Sequence, residues 1–229
     1  MPARRPLRTP VRRTRAPEST RERLLLAAFE EIHRHGYQAA SIDSILASTG
    51  LTKGALYHHF ADKAALGHAV VDEIVRGLTL RRWAIPLTSA ATDPVAAMQA
   101  VVRNVIAEAD ARPELVELGC PLNNLTQEMS PLDEQFRGRL SATFELWTGE
   151  FAAAIQRGRV DGSVRQAVDP RAVADFIVAA IEGSFGLAKS AKSLRILRSN
   201  LEQLVDYLEG LRARGPSPSA LPDRLEVPA

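Results

Sequence analysis

Cysteine is nearly absent from this chain, and long apolar runs are missing from it. Cys120 is the single cysteine among 229 residues, which excludes an intrachain disulfide and fits a reducing cytoplasm. No stretch approaches the roughly 20 apolar residues that cross a bilayer, so no membrane partner is expected. The N-terminus carries arginines without the apolar core of a secretory signal. We therefore expect a cytoplasmic protein.

Aromatic residues are also sparse, at 5%. Apolar residues nevertheless make up 45% of the chain and charged residues 24%, which is the balance of an ordinary globular protein. The sequence contains no HExxH motif, phosphate-binding glycine loop, nucleophile elbow or Cys/His metal cluster. We therefore expect no enzyme, no catalytic residue, no metal and no other cofactor.

The net charge of +2 conceals a basic N-terminal arm. Residues 1–17 contain no acid and carry a charge of +6, so the other residues sum to −4. The arginines of the arm are Arg4, Arg5, Arg8, Arg12, Arg13 and Arg15. Its prolines predict an arm that is disordered when free, and its charge indicates either a polyanionic partner or a solvated tail. Residues 215–229, with four prolines, are predicted to form a second tail.

Capping signals between these tails predict where several helices begin. Ser19 and Glu22 have the spacing of a capping box, which would open a helix running to about His35. Further starts are marked by a capping side chain before a proline at the first helical position, at Asp93-Pro94, Ser130-Pro131 and Asp169-Pro170.

Three long C-terminal helices are predicted from apolar stripes with a spacing of three or four residues. The first stripe consists of Leu132, Phe136, Leu140, Phe144, Trp147, Phe151 and Ile155. The second consists of Val173, Phe176, Ile177, Ala180, Ile181, Ser184 and Phe185. The third consists of Leu194, Leu197, Leu201, Leu204, Leu208 and Leu211. The fold class expected from these patterns is all-α.

The segment from Ser41 to Phe60, SIDSILASTGLTKGALYHHF, has the spacing of a helix-turn-helix. Ser41 would cap a short helix, and Gly50 would supply the positive φ of a tight turn, with Leu51 filling the space between the helices. Thr52 would cap a second helix with an exposed polar face. The residues predicted to face the core are Ile42, Ile45, Leu46, Leu56 and Phe60.

The stretch from about Glu18 to Leu78 resembles the DNA-binding domain of the TetR family. Several elements match at fixed offsets: Gly36-Tyr37, Ser41-Ile42, Thr52-Lys53-Gly54, Leu56-Tyr57, His59-Phe60 and Lys63. Leu46 stands where the family usually has alanine, and Ala55 where a hydroxyl residue is common. The resemblance implies a helix-turn-helix domain over residues 18–78, which contains three helices, and a larger helical ligand-binding and dimerisation domain over residues 79–214.

The resemblance also implies that the helix Thr52–Phe60 enters the major groove of double-stranded DNA. The implied DNA-binding residues are Ser41, Thr52, Lys53, Gly54, Tyr57, His58 and Lys63. Gly54 would let this helix approach the DNA closely, because it lacks a side chain. Tyr57 could instead pack within the protein, and His58-His59 could be a surface pair, with His59 directed inward.

Gly119-Cys120-Pro121 resembles a segment of those TetR regulators that respond to electrophiles and oxidants through a cysteine. That resemblance places Lys189 near Cys120, and a helix start at Pro121 would lower the pKa of the thiol. Cys120 could equally be a small buried hydrophobe. If the ligand binds non-covalently, Asn123 and Asn124 would orient it. The pocket would be lined by Phe144, Trp147, Phe151, Phe176 and Phe185. These aromatic residues could instead belong to the hydrophobic core.

The function expected from the resemblance is that of a homodimeric repressor on a palindromic DNA operator. A small-molecule inducer or an electrophile would release it. Gly183 and Gly186 would allow helices of two subunits to approach closely, or would leave room for a ligand. A non-specific DNA-coating protein and a transcriptional activator of the same fold are the alternatives.

Overall fold

The computed structural model describes residues 17–89 and 93–213. The predicted N-terminal arm up to residue 16 and the predicted C-terminal tail lie outside the described residues. The described chain is mainly helical, which confirms the predicted fold class. It divides into two compact units, one up to Val70 and one from Val71 onward.

The first unit contains four helices within its described residues: α1 (Pro17–His35), α2 (Ile42–Thr49), α3 (Lys53–His59) and α4 (Lys63–Ala69). Its core is formed by the buried residues Leu24, Leu25, Ala28, Ile45, Leu46, Leu56, Phe60 and Leu66. Ile42 and Leu51, which were expected to face inward, are half-buried. The helix α1 begins at Pro17, two residues before Ser19, where the sequence predicted its start.

Glycine ends both α1 and α2 at a positive φ. The φ of Gly36 is 84° and that of Gly50 is 65°, values that other residues adopt only with strain. The Gly50 N–H also donates to the Leu46 carbonyl at 2.9 Å, which closes α2. The glycine turn expected from the sequence is therefore confirmed.

A continuous helical stretch runs from Lys63 to Ser89 and crosses the boundary between the units. After α4 it contains a π-helical segment (Val70–Val75), α5 (Arg76–Thr79), a second π-helical segment (Leu80–Ala84) and α6 (Ile85–Ser89). π-helical turns are rare and often occur at functional positions of a helix. The predicted domain limit at residue 78 falls within this stretch.

The second unit continues with six helices in the described chain. These are α7 (Pro94–Ala111), α8 (Leu115–Leu118), α9 (Pro121–Met129), α10 (Glu134–Asp161), α11 (Pro170–Ala191) and α12 (Leu194–Glu209). Asp93 and Asp169 cap α7 and α11 through hydrogen bonds from backbone N–H groups, as predicted. Ser130 instead ends α9, and Asp133 caps α10. Arg171 fastens α11 to α10 through a bidentate ion pair with Glu145, at 2.5 and 2.7 Å.

The three predicted stripes form most of the core of the second unit, and two of their residues are exposed. Phe136, Leu140, Trp147, Phe151 and Ile155 are buried, and so are the leucines of α12 from Leu197 onward. Leu132 is 61% exposed because it precedes the true start of α10. Phe176 is 51% exposed because it lies on the outer face of α11.

A close contact inside α10 yields a stability prediction. Gly158 is buried, and a Cβ at this position would overlap the Val164 side chain and meet Ser163 Oγ at 3.1 Å. We expect Gly158→Ala to lower the free energy of unfolding by about 1–3 kcal/mol, as overpacking does. Gly138→Ala is the matched control, since a Cβ there meets open space, and it should raise stability by up to about 1 kcal/mol. Urea denaturation measures both, and equal effects of the two changes would contradict the packing argument.

Candidate DNA-binding surface and effector site

The hydroxyl groups of two side chains fix the start of each helix in the helix-turn-helix. Ser41 Oγ accepts from the Ser44 N–H at 3.4 Å, and Thr52 Oγ1 accepts from the Ala55 N–H at 3.2 Å. Both residues have the extended backbone of an N-cap. Ser41 and Thr52 thus have structural roles, whatever their contacts with DNA.

One face of α3 is buried and the other is exposed and polar. Leu56 and Phe60 are 0% and 4% exposed, as predicted from the sequence. The opposite face consists of Thr52, Lys53, Gly54, Tyr57 and His58, all of which are exposed. Tyr57, at 52% exposure, does not pack into the core of this unit. His59 is half-buried, with its ring edge-on to that of His58 at 5.0 Å.

Two lysines at this surface already have partners within the first unit. Lys53 Nζ lies 2.9 Å from Asp43 Oδ1, and the hydrogen bond with Asp43 raises the lysine's pKa. Lys63 Nζ donates to the Gln38 carbonyl at 3.1 Å and lies 4.9 Å from the centre of the Tyr37 ring. Lys63 therefore braces the Tyr37–Gln38 turn, and its predicted contact with DNA remains a prediction.

Packing within the protein does not require a glycine at position 54. A Cβ at this position would meet only Thr52 Oγ1, at 3.8 Å, which is an ordinary van der Waals distance. Alanine would also favour the helix by about 1 kcal/mol. Gly54 thus leaves the centre of an exposed polar face without a side chain.

In the second unit, the segment before α9 is held by a chain of hydrogen bonds. Gly119 has a φ of 72°, and Cys120 is the N-cap residue of α9. Asn124 Nδ2 donates to the Leu118 carbonyl at 2.7 Å, and Asn124 Oδ1 accepts from Lys189 Nζ at 3.2 Å. Lys189 thus contacts Asn124 of this segment, and Asn124 is engaged within the protein. Asn123 accepts from Gln127 at 3.4 Å.

A buried glutamate that the sequence analysis missed lies beside Cys120. Glu182 on α11 is 7% exposed, and neither of its oxygens accepts a hydrogen bond of normal geometry from the described residues. Burial raises its pKa to about 7, against a smaller opposing effect of the nearby Cys120 thiol. The sequence did contain a signal for Glu182, because an acidic residue four positions after Val178 falls within the apolar stripe of α11.

The structure does not support the expected lowering of the Cys120 pKa. Burial, followed by the charge of Glu182, raises the pKa of this thiol well above its usual value. The N–H groups of Leu122 and Asn123 at the start of α9 act in the opposite direction but are outweighed. The residue as a whole is half-buried.

The predicted aromatic lining forms part of a stacked core. The ring of Trp147 stacks on Trp83 at 4.8 Å and lies 6.2 Å from that of Phe144, while Phe151 lies 6.1 Å from Trp83. The indole N–H of Trp147 is buried and has no hydrogen-bond acceptor among the described residues. Phe185 is half-buried.

An open apolar groove of about 340 Å³ runs between α11 and α12. Phe176, predicted to line a ligand pocket, lies here with its ring 5.0 Å from that of Tyr207. The other residues of the groove are Ala180, Gly183, Ser184, Leu187, Asn200, Gln203 and Leu204. A Cβ on Gly183 or on the neighbouring Gly186 would meet open space.

No helix among the described residues is long and apolar enough to span a membrane. Within the same residues, no three His, Cys, Asp or Glu side chains are grouped so as to hold a metal ion.

Together, the helix-turn-helix and the larger helical unit that follows it in the chain define a DNA-binding transcription regulator with an effector domain. Residues 24–70 match the family model described as bacterial regulatory proteins, tetR family, and residues 94–204 match the tetracyclin repressor-like C-terminal domain. The chain belongs to the TetR family of transcription regulators.

Named relatives and a solved structure agree with this assignment. The transcriptional repressor DhaR of Mycobacterium sp. (strain GP1) is 30% identical over 77% of this chain and 81% of its own length. The transcriptional regulator AcuR of Cereibacter sphaeroides is 28% identical over 76% of this chain and 79% of its own. A TetR transcriptional regulator from Chloroflexus aurantiacus superposes with a TM-score of 0.76 at 29% identity, covering 86% of this chain and 97% of that one.

The raised pKa of Glu182 predicts a dependence of stability on pH. Its pKa is about 7 in the folded chain and about 4.5 when unfolded, so between these values the folded state binds more protons and stability falls as pH rises. The loss amounts to about 3 kcal/mol and persists above pH 7. We expect Glu182→Gln to remove this loss, as measured by urea denaturation between pH 5 and pH 8. The exposed Glu117→Gln change should leave the wild-type slope intact, and an unaltered slope in Glu182→Gln would contradict the assignment.

Proposed function

We propose that this chain is a homodimeric, sequence-specific transcriptional repressor that leaves its operator when an effector acts on the second unit. The proposal rests on the exposed polar face of α3, which has Gly54, a residue without a side chain, at its centre. This face is exposed and polar, and an α-helix fits the major groove of DNA. The protein would act in the cytoplasm, where its operator lies.

The residues of this surface would divide between two kinds of contact. Lys53 and Thr52 stand at the start of α3 and would bind phosphates, which supply affinity and register. Tyr57 and His58 extend from the same face and would reach base edges or the adjacent backbone. Lys63, once released from Gln38, would add a further phosphate contact.

The groove between α11 and α12 is proposed as the dimer interface. It exposes Phe176, Leu187 and Tyr207 at 51%, 59% and 39%, large side chains that a solvated helix pair would not need. The bare backbone at Gly183 and Gly186 would let a helix of a second copy approach closely. Two such helix pairs would form a four-helix bundle and would relate two copies of α3 by a twofold axis, which suits a palindromic operator.

The effector site is proposed to lie among the aromatic side chains of the second unit. The unpaired indole N–H of Trp147 would give an apolar ligand one fixed hydrogen bond, which is how such pockets orient their ligands. Covalent modification of Cys120 is the alternative way to act on the same unit. Either event would shift the continuous helical stretch from Lys63 to Ser89 and so alter the spacing of the two recognition helices.

The first experiment tests Gly54→Ala for binding to the DNA upstream of the chain's own gene. We expect operator affinity to fall roughly tenfold, equivalent to about 1.4 kcal/mol, because a methyl group would obstruct the close approach of α3. Stability should stay equal or rise. Fluorescence anisotropy with excess unrelated DNA measures the binding, and genomic selection supplies further fragments.

Gly138→Ala is the matched control, since it also adds a methyl group to an exposed helical glycine and should leave binding unchanged. Equal binding of wild type and Gly54→Ala would count against α3 as the reading helix. Absence of preference for any fragment would favour a DNA-coating protein instead. An activator would show the same specific binding and differ in the direction of its effect on transcription.

The dimer proposal predicts a specific loss of association. Leu187→Glu would place two carboxylates in the bundle, where charges are costly to bury, so we expect monomers at micromolar concentration. Sedimentation velocity measures this. Leu132→Glu changes an equally exposed leucine, at 61%, outside the groove and should remain dimeric. Dimers of Leu187→Glu would exclude this groove as the interface.

A further inference from the structure

The face of α3 that is proposed to contact DNA has little positive charge available for phosphates. Residues 17–70 contain five lysines and arginines against six acidic residues, which leaves a net charge of −1 with neutral histidines. Arg21 covers an aromatic ring, while Arg23 and Lys63 each donate to a backbone carbonyl. Lys53 is the one lysine or arginine within α3 itself. Because proteins hold DNA largely through cations that neutralise its phosphates, the affinity of this face depends on the state of Lys53.

Lys53 is paired with Asp43, which lies in the first turn of α2. Lys53 Nζ and Asp43 Oδ1 are 2.9 Å apart, and the two side chains are 64% and 74% exposed. An ion pair this exposed contributes little to stability, so removing the carboxylate should leave the fold intact. The same exposure leaves the pair open to a third charged group, such as a DNA phosphate.

The Asp43 carboxylate and a DNA phosphate would compete for the same ammonium group. Both are anionic oxygen acceptors, and both form charge-assisted hydrogen bonds with a lysine. A phosphate that binds Lys53 must therefore displace the carboxylate or share the ammonium with it, and the two anions repel each other at that distance. Because the pair has no net charge, it would release fewer counterions from DNA than a free lysine does.

We propose that Asp43 is an intramolecular competitor for the phosphate contact of Lys53 and so limits the affinity of the regulator for DNA. In this role Asp43 acts through Lys53 and lowers binding to every sequence by a similar factor, because phosphate contacts carry no sequence information. A lower affinity shortens the time that the protein stays on unrelated DNA. This inference rests on the proposed function, in which α3 enters the major groove.

The test measures binding of the full chain to one unrelated DNA duplex by fluorescence anisotropy, between about 0.05 and 0.3 M salt. We expect Asp43→Asn to steepen the fall of log affinity with log salt by about 0.9 for each subunit in contact with DNA, since one phosphate contact is gained. With that slope, binding at 0.15 M salt would be roughly fivefold tighter for each subunit, if the two proteins bind equally at 1 M salt.

Three further variants show whether the effect passes through Lys53. Asp43→Glu keeps a competing carboxylate and should return the slope toward that of the wild type. Asp43→Asn should change the slope little when Lys53→Gln is also present, because the remaining repulsion of DNA by Asp43 is screened by salt. Glu117→Gln makes the same change of net charge at an exposed position of the second unit and should have the wild-type slope. Circular dichroism checks that each variant is folded.

An unchanged slope in Asp43→Asn would overturn the proposal, because the carboxylate would then not limit the phosphate contact. An equal steepening in the Lys53→Gln background would also overturn it, since Asp43 would then act by general repulsion. The Gly54→Ala experiment separates this inference from the proposed function. If Gly54→Ala loses operator binding while Asp43→Asn has no effect, α3 still contacts DNA and only the competition fails. A chain that binds no DNA at all would overturn both.

Discussion

The surface proposed to contact DNA depends on the burial of two side chains of α3. A helix of seven residues is too short to be stable in water by itself, so α3 depends on burying Leu56 and Phe60 in the core of the first unit. The guanidinium of Arg21 on α1 lies 5.2 Å from the centre of the Phe60 ring and covers it. Because these contacts hold the buried face of α3 in place, its other face can remain polar and exposed, with no side chain at Gly54. The core of the first unit thus sets the geometry of its contact with DNA.

The helical stretch from Lys63 to Ser89 is shared by both functions of the chain. It begins with α4 in the first unit and ends in the second, where Arg82 pairs with Glu108 and Trp83 stacks on Trp147. The aromatic residues proposed to bind an effector therefore contact the same continuous backbone. Two π-helical segments interrupt the α-helical pattern of this stretch, and such turns are rare and frequent at functional sites.

Local patterns in the sequence predicted the architecture well, because caps and apolar spacing act within a few residues. Asp93, Asp169, Gly36 and Gly50 mark helix ends as expected. The errors arose where two local signals competed or where burial depends on distant residues. Ser130-Pro131 imitates a helix start, although Asp133 is the cap, and Phe176 has stripe spacing but faces outward. The environment of Cys120 is set by Glu182, which lies 62 residues away in sequence, so the direction of its pKa shift could not be read locally.

The unpaired Trp147 N–H of the second unit offers one physical way in which an effector could release DNA. A ligand shifts an equilibrium only through a difference in its affinity for the two states. Pairing one buried, unsatisfied donor such as the Trp147 N–H is worth about 1–3 kcal/mol, which is the usual size of an allosteric coupling free energy. If that pairing is possible only in the released arrangement, one hydrogen bond would weaken operator binding by up to about two orders of magnitude. Under that condition, one polar contact that the DNA-bound state does not permit would suffice for release, without a large rearrangement of the second unit.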